Sequence, residues 1–281
     1  MPRGFLPWGL SNTCPQDGGM RASVACSGQV SDNLKHYLPV ANDRFRQSIR
    51  KPTPTTVTSA SAATGGRLDM SKASSATIRC TKCRAPQTIS IWESVTANRR
   101  PDLKQMVLDG SIFRQDCERC GARLTVTHPI LYNDPDEGAA CWLCDGGVTP
   151  ELEDAMDSFG MVLPKTYRLR LVYTLDELSE KVRIWDSGLN DWFVHMLKMS
   201  LADQAGADSS DIAFLRATPT RGGLYSFSLQ LSDGRTVTMS DVPNVDRTCR
   251  QWNNLETQFD WLYVSDDNFA KLLRQYGHLL S

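Results

Sequence analysis

From Gln87 to Trp92 the chain alternates polar and apolar residues with β-branched side chains, the pattern of a half-buried strand. Pro101 to Leu108 then predicts a short helix, with proline at its start, an acid in the first turn and a stop at Asp109-Gly110. Ser111 to Arg114 and Ala122 to Thr127 read as two further strands. Pro129 to Tyr132 and Ala140 to Leu143 complete a small antiparallel sheet around the turn-forming run Asp134-Pro135-Asp136-Glu137-Gly138. Beyond Lys165 strand and helix periods mix. Thr166 to Tyr173 reads as a strand, and Thr174-Leu175-Asp176-Glu177 is a capping box that opens a helix towards Trp185. Leu189, Trp192, Phe193, Met196, Leu197 and Leu201 recur at helical spacing, a stripe that faces a core. Ile212 to Ala217, Gly223 to Leu231 and Arg235 to Ser240 predict strands, the last two joined across the hairpin signal Asp233-Gly234. Pro243 to Phe259 and Asp266 to His278 predict helices, with a strand at Trp261 to Val264 between them.

The first 69 residues lack such periodicity. They are rich in Ser, Thr, Pro, Gly and Ala, too poor in apolar residues to offset the entropy of ordering, and predict a disordered tail. The abrupt change after them makes Met70 a candidate translation start. The expected organisation is thus a tail over 1–69, a small antiparallel β domain over 76–160, and an α+β domain over 165–281. The overall fold class expected is α+β.

Composition adds exclusions. No run of 18 apolar residues occurs, so no membrane-spanning helix is expected. Lys and Arg number 8 against 4 acids in residues 1–69, 13 against 13 in 70–170, and 10 against 15 in 171–281. No basic footprint marks the folded part, which argues against a dedicated nucleic-acid binder. Such binding would regain weight if Arg79, Lys82, Arg84, Arg99, Arg100 and Arg123 formed one patch. No phosphate loop, nucleophile elbow or His-Glu-x-x-His helix occurs, which lowers the odds of an enzyme without excluding one.

The chemistry lies in the cysteines. Cys80/Cys83 and Cys117/Cys120 form two Cys-x-x-Cys pairs, each able to aim two sulfurs inward from one tight turn. Gly121 suits the second turn, while the first has Arg84 in the corresponding place. Redox Cys-x-x-Cys motifs act singly at helix N-termini, whereas these two pairs border strands. The expectation is therefore a structural Zn(Cys)4 site with Cys80, Cys83, Cys117 and Cys120 as ligands, in an unexported, cytoplasmic protein. Cys141 and Cys144 repeat the spacing, but on a strand they point to opposite faces and read as buried small apolar residues. Cys14, Cys26 and Cys249 have no partner at ligand spacing. His128 reads as the cap of a strand end and His195 as a packed helix residue. Glu93, Asp109, Asp116 and Glu118 are the acids nearest the thiols, but four thiolates leave zinc no open position for them to serve. Trp185, Trp192, Trp252 and Trp261 read as core.

The features from Cys80-Thr81-Lys82-Cys83 through Ile91-Trp92, Pro101-Asp102-Leu103-Lys104 and Leu108-Asp109-Gly110-Ser111 to Cys117-Glu118-Arg119-Cys120-Gly121 and Pro129-Ile130-Leu131-Tyr132-Asn133-Asp134 resemble the CpXC family of bacterial and archaeal proteins. The resemblance covers about residues 77–140, with an echo in Lys181 to Ile184 and Gly188 to Asp191. The proline that the family's name places within each pair is absent here: Thr81-Lys82 and Glu118-Arg119 stand there instead. The resemblance implies a zinc-ribbon-like domain and supplies no activity. The leading expectation is a metal-stapled adaptor that binds another protein. Its rival is an enzyme with a site between the two domains, built on His128, Glu93 or Asp134.

Overall fold

The computed structural model describes residues 71–256 and 261–277. The expected tail, the candidate start at Met70, Cys14 and Cys26 lie outside them. The fold is α+β. A six-stranded mixed sheet runs in the order β1-β2-β5-β6-β7-β11, with β1 at Lys72–Arg79, β2 at Pro86–Thr96, β5 at Ile130–Asp134, β6 at Ala139–Leu143, β7 at Arg168–Val172 and β11 at Leu262–Tyr263. A second, antiparallel sheet holds β8 (Ile212–Pro219), β9 (Tyr225–Leu231) and β10 (Thr236–Val242). A two-stranded hairpin pairs β3 (Arg114–Asp116) with β4 (Arg123–Thr125).

The central strands are covered on both faces, so β5 is buried at every position rather than alternating. One face packs Val95, Ile130, Tyr132, Cys141 and Val172 against three helices, α1 (Pro101–Leu108), α3 (Leu175–Asp186) and α4 (Asp191–Ala205). On the other face Leu131, Ala140 and Trp142 meet Phe159 of α2 (Pro150–Gly160) and Trp261. The second sheet closes over α3 and α4 through Phe214 and the Phe193–Phe227 ring pair, centroids 5.9 Å apart. Trp192, Trp252 of α5 (Val245–Glu256) and Phe269 of α6 (Asp266–Tyr276) form a three-ring cluster, each pair of centroids 5.6–6.3 Å apart.

Most expected elements form, each near its predicted bounds, and α3 starts with the capping box at Thr174 and Glu177. Four details differ. Lys72–Arg79 is a strand that the sequence reading passed over, because Ser and Thr mask its alternation. Ser111–Phe113 is a 3-10 turn rather than a strand, leaving only Arg114–Asp116 to pair. Pro150–Gly160 is a helix that went unread, although Thr149 caps it and Pro150 occupies its first turn. β5 and β6 are neighbours in the six-stranded sheet rather than a small sheet of their own, and β6 pairs in parallel with β7. No helix among the described residues is long and apolar enough to cross a membrane.

Candidate metal centre

Both thiol pairs sit at hairpin tips. Residues 80–85 turn β1 into β2, and residues 117–122 turn β3 into β4. The turns share one hydrogen-bond pattern: Arg84 N–H donates to Cys80 O at 3.0 Å and Gly121 N–H to Cys117 O at 2.8 Å. Cys80 N–H donates to Ala85 O at 3.0 Å and Cys117 N–H to Ala122 O at 2.8 Å. The residue after each second cysteine is left-handed, Gly121 at φ 65° and Arg84 at φ 59°. Glycine adopts that conformation freely; arginine adopts it at a steric cost of roughly 1–2 kcal/mol. Arg84 therefore does what the sequence pattern asked of a glycine, and the two tips are near copies.

The tips bring all four sulfurs together, every Sγ within 4.8 Å of the others. Across the pairs, Cys80 lies 3.8 Å from Cys120 and Cys83 lies 3.7 Å from Cys117. A tetrahedron with arms of about 2.3 Å has edges of about 3.8 Å, so the donor set fits a tetrahedral ion. The backbone N–H of Cys83 points at Cys80 Sγ, 3.5 Å away, and chiefly for that reason the Cys80 thiol falls to about 6. Cys120 moves the other way, to about 11: the Ala122 N–H favours its thiolate, but burial and the crowding of Cys83, Cys117 and Cys80 outweigh that. Four thiolates this close repel one another, and a bound cation removes that penalty. These four cysteines could hold a metal ion, and they are the one such group among the described residues.

Cys141 and Cys144 lie elsewhere. Cys141 is buried in the main core, its thiol pushed up by burial, and Cys144, also raised by burial to about 11, has its Sγ near Trp142 O. Cys249 is buried, receives the Asn190 N–H, and is likewise raised to about 11 by burial. None of the nearby acids joins the thiols. Glu93 pairs with Lys72, Asp109 accepts the Ser111 N–H, and Asp116 faces Arg123 at 3.5 Å. Glu118 meets the first hairpin through its main chain, donating its N–H to Gln87 Oε1. His128 sets its ring nitrogens against the carbonyl oxygens of Val126 and Trp92. Asp134 is buried, accepting from Tyr132 OH and Lys104. The trio expected of an enzyme is thus tied up in local structure rather than gathered around a cleft. Of the six basic residues, Arg79, Lys82, Arg84 and Arg123 lie in or next to the two tips in the chain, whereas Arg100 stacks over Trp92, six residues along β2 from its start.

Two features escaped the sequence reading. One is a buried charge cluster, in which Asp191 receives both Nε and an Nη of Arg170 at 2.8 Å and Lys181 Nζ at 2.8 Å. Burial alone would raise the Asp191 carboxyl, but those two cations hold it well below the usual carboxylate range. The other is a cleft of about 310 Å³ beside that cluster, between α3, α4 and the start of α6. No motif announces either, because their members come from residues far apart in the chain.

Residues 78–198 match the family model described as CpXC protein. The match reaches past the span legible by resemblance, through α3 and into α4. No curated protein and no solved structure matches the chain.

Proposed function

We propose, starting from residues 78–198 as a CpXC segment, that Cys80, Cys83, Cys117 and Cys120 hold one structural zinc ion in a zinc-ribbon arrangement. The observation that carries this is the convergence of four thiols from two matched turns, with sulfur separations of 3.7 and 3.8 Å. Tetrahedral all-thiolate sites select zinc or iron among common metals, and a closed set of four leaves no position for substrate. Zinc would supply electrostatic neutralisation and a cross-link between the β1–β2 and β3–β4 tips, not reactivity.

The wider function we infer is protein–protein interaction in the cytoplasm, the stapled module serving as an adaptor. Exposed Met161 and Val162, adjacent at the C-terminal end of α2, support this reading, since neighbouring large apolar side chains on the surface mark contact sites. So does the acidic balance of residues 171–281, 10 basic against 15 acidic. The test is metal content by plasma mass spectrometry on the purified chain beside a Cys80→Ser/Cys83→Ser variant. About one zinc per chain, lost in the variant, is the expected result. Iron in its place would overturn the choice of metal. No metal, with an intact fold and reactive thiols, would overturn the reading and put thiol redox chemistry first.

A further inference from the structure

The strands that end each sheet differ in how they meet solvent. An open strand edge displays unpaired N–H and C=O groups, and proteins blunt it with charge, proline, a bulge or brevity. β11 has two residues, and β3 and β4 have three each. β8 carries Arg216, a register shift between Phe214 and Arg216, and Pro219 at its end. β10 shifts between Met239 and Val242, with Asp241 left-handed at φ 58°. β1 has none of these devices from Ala73 to Ile78: no charge, no proline, and a register shift only at Lys72/Ala73. Its eight residues pair with β2 on one side, and among the described residues no strand lies on the other.

The phase of the ladder tells which groups stand open. Cys80 N–H donates to Ala85 O at the turn, so the pairs Ile78–Gln87, Ala76–Ile89 and Ser74–Ile91 exchange hydrogen bonds with β2. Ala73, Ser75, Thr77 and Arg79 fall in the alternate pairs and turn their N–H and C=O groups to the open side. Two contacts agree with this phase. Pro86, which has no N–H, lies opposite Arg79, and Ser90 O, opposite Ser75, accepts from Gln115 Nε2. All four outward residues are exposed. Charge is uneven along the edge. Lys72 at its start is paired with Glu93, whereas Arg79 at its end, and Lys82 and Arg84 in the turn beyond, are exposed and form no ion pair among the described residues.

We propose that the open edge of β1 takes up an extended segment of a partner protein as an antiparallel strand, acidic at its N-terminal end, where it meets Arg79, Lys82 and Arg84. This rests on the reading of the chain as a protein-binding module and names the chemistry of its partner. Main-chain hydrogen bonds to Ala73, Ser75, Thr77 and Arg79 hold the segment, and side-chain charge sets its direction. An antiparallel strand begins at the Arg79 end of β1, so its leading residues are the ones that reach the basic turn. A second copy of the chain fits this edge less well. Antiparallel pairing of β1 with itself sets Arg79 of each copy beside Lys72 of the other, like charge on like.

The test is fluorescence anisotropy on the full chain with the fluorescein-labelled peptide DEDEGTVTVSVT, beside KKKKGTVTVSVT as charge control. Saturable one-to-one binding of the acidic peptide is the expected result, weakened about tenfold or more by Ser75→Pro and about threefold or more by Arg79→Glu. Proline at position 75 removes an N–H that β2 does not use, so the β1–β2 ladder survives, and far-UV dichroism checks this. No binding of the acidic peptide, or equal binding of the lysine peptide, would overturn the proposal. Binding that both variants leave unchanged would overturn the edge while leaving protein binding to another surface. Self-association abolished by Ser75→Pro, with no peptide bound, would give the edge to a second copy instead. Metal content of the same samples keeps failure of the thiol site distinct from failure of the edge.

Discussion

The thiol tips and the main core are held together by opposite means. Around the tips the buried residues are Cys80, Cys117 and Leu124, with Ile78, Ala122 and Val126 half-buried beside them. Burying one leucine contributes about 1.5–3 kcal/mol, while fixing each backbone residue of the two turns costs about 1–2 kcal/mol. Apolar packing cannot order this region alone, and its thiols repel one another when ionised. In the main core Trp185, Trp192, Trp252, Phe193, Phe214 and Phe227 are all almost completely buried, in one cluster with residues of both larger sheets and five helices. That region needs no ion. The lesson is that a metal held by the four thiols would govern local order at the tips, whereas global stability belongs to apolar packing.

The sharpest way to break this contrast is to keep the four thiols free of metal. Chelation, or Cys80→Ser/Cys83→Ser, should free the tips, because structural zinc contributes apparent energies of about 10–16 kcal/mol in small sites. Limited proteolysis should then cut within residues 78–126, while far-UV dichroism and the main unfolding transition persist. Loss of the whole fold on chelation would show the two regions to be one cooperative unit.

The reverse experiment targets the core. Asp191→Ala leaves Arg170 and Lys181 buried beside each other and should cost about 3–5 kcal/mol in urea unfolding, with metal content unchanged. A change of metal stoichiometry at that position would tie the regions together.

A third measurement uses pH. His195 is held near 4 in the fold against about 6.5 when unfolded, so between those values the unfolded chain binds more protons. Stability should fall by about 1–3 kcal/mol as pH drops from 6.5 towards 4, and should not change on that account above 6.5. His195→Gln should flatten that slope in urea titrations at successive pH values. A slope that survives the substitution would assign the loss to other groups.

The smallest effect compares the two tips with each other. Arg84→Gly relieves a left-handed side-chain residue and should tighten the first turn by about 1 kcal/mol, while Gly121→Ala should loosen the second by a similar amount. Competition for zinc with a chromophoric chelator reads both. Equal affinity in the two variants would show that turn strain does not reach the metal.

Much of the molecule was legible in order of local signal. The capping box at Thr174 and Glu177, the Asp233-Gly234 turn and the apolar stripe of α4 each state a conformation within a few residues, and each is found. β1 was missed because its Ser and Thr residues blur the alternation, and Ser111–Phe113 was misread because two adjacent apolar residues, Ile112 and Phe113, suit a strand or a tight turn equally. The four thiols were legible because their spacing is itself the chemistry: two residues between cysteines are what a tight turn needs.

By itself the sequence determined these local matters, the elements and the ligand supply, because propensity, turn chemistry and short-range spacing act over a handful of residues. Only the tertiary structure decided the pairing of β6 with β7, the burial of Arg170 and Lys181 on Asp191, and the meeting of His195, Ser209 and Asp266. Each joins residues between 10 and 71 positions apart or sets strands side by side over a helix, and such contacts follow from how layers pack rather than from any local pattern.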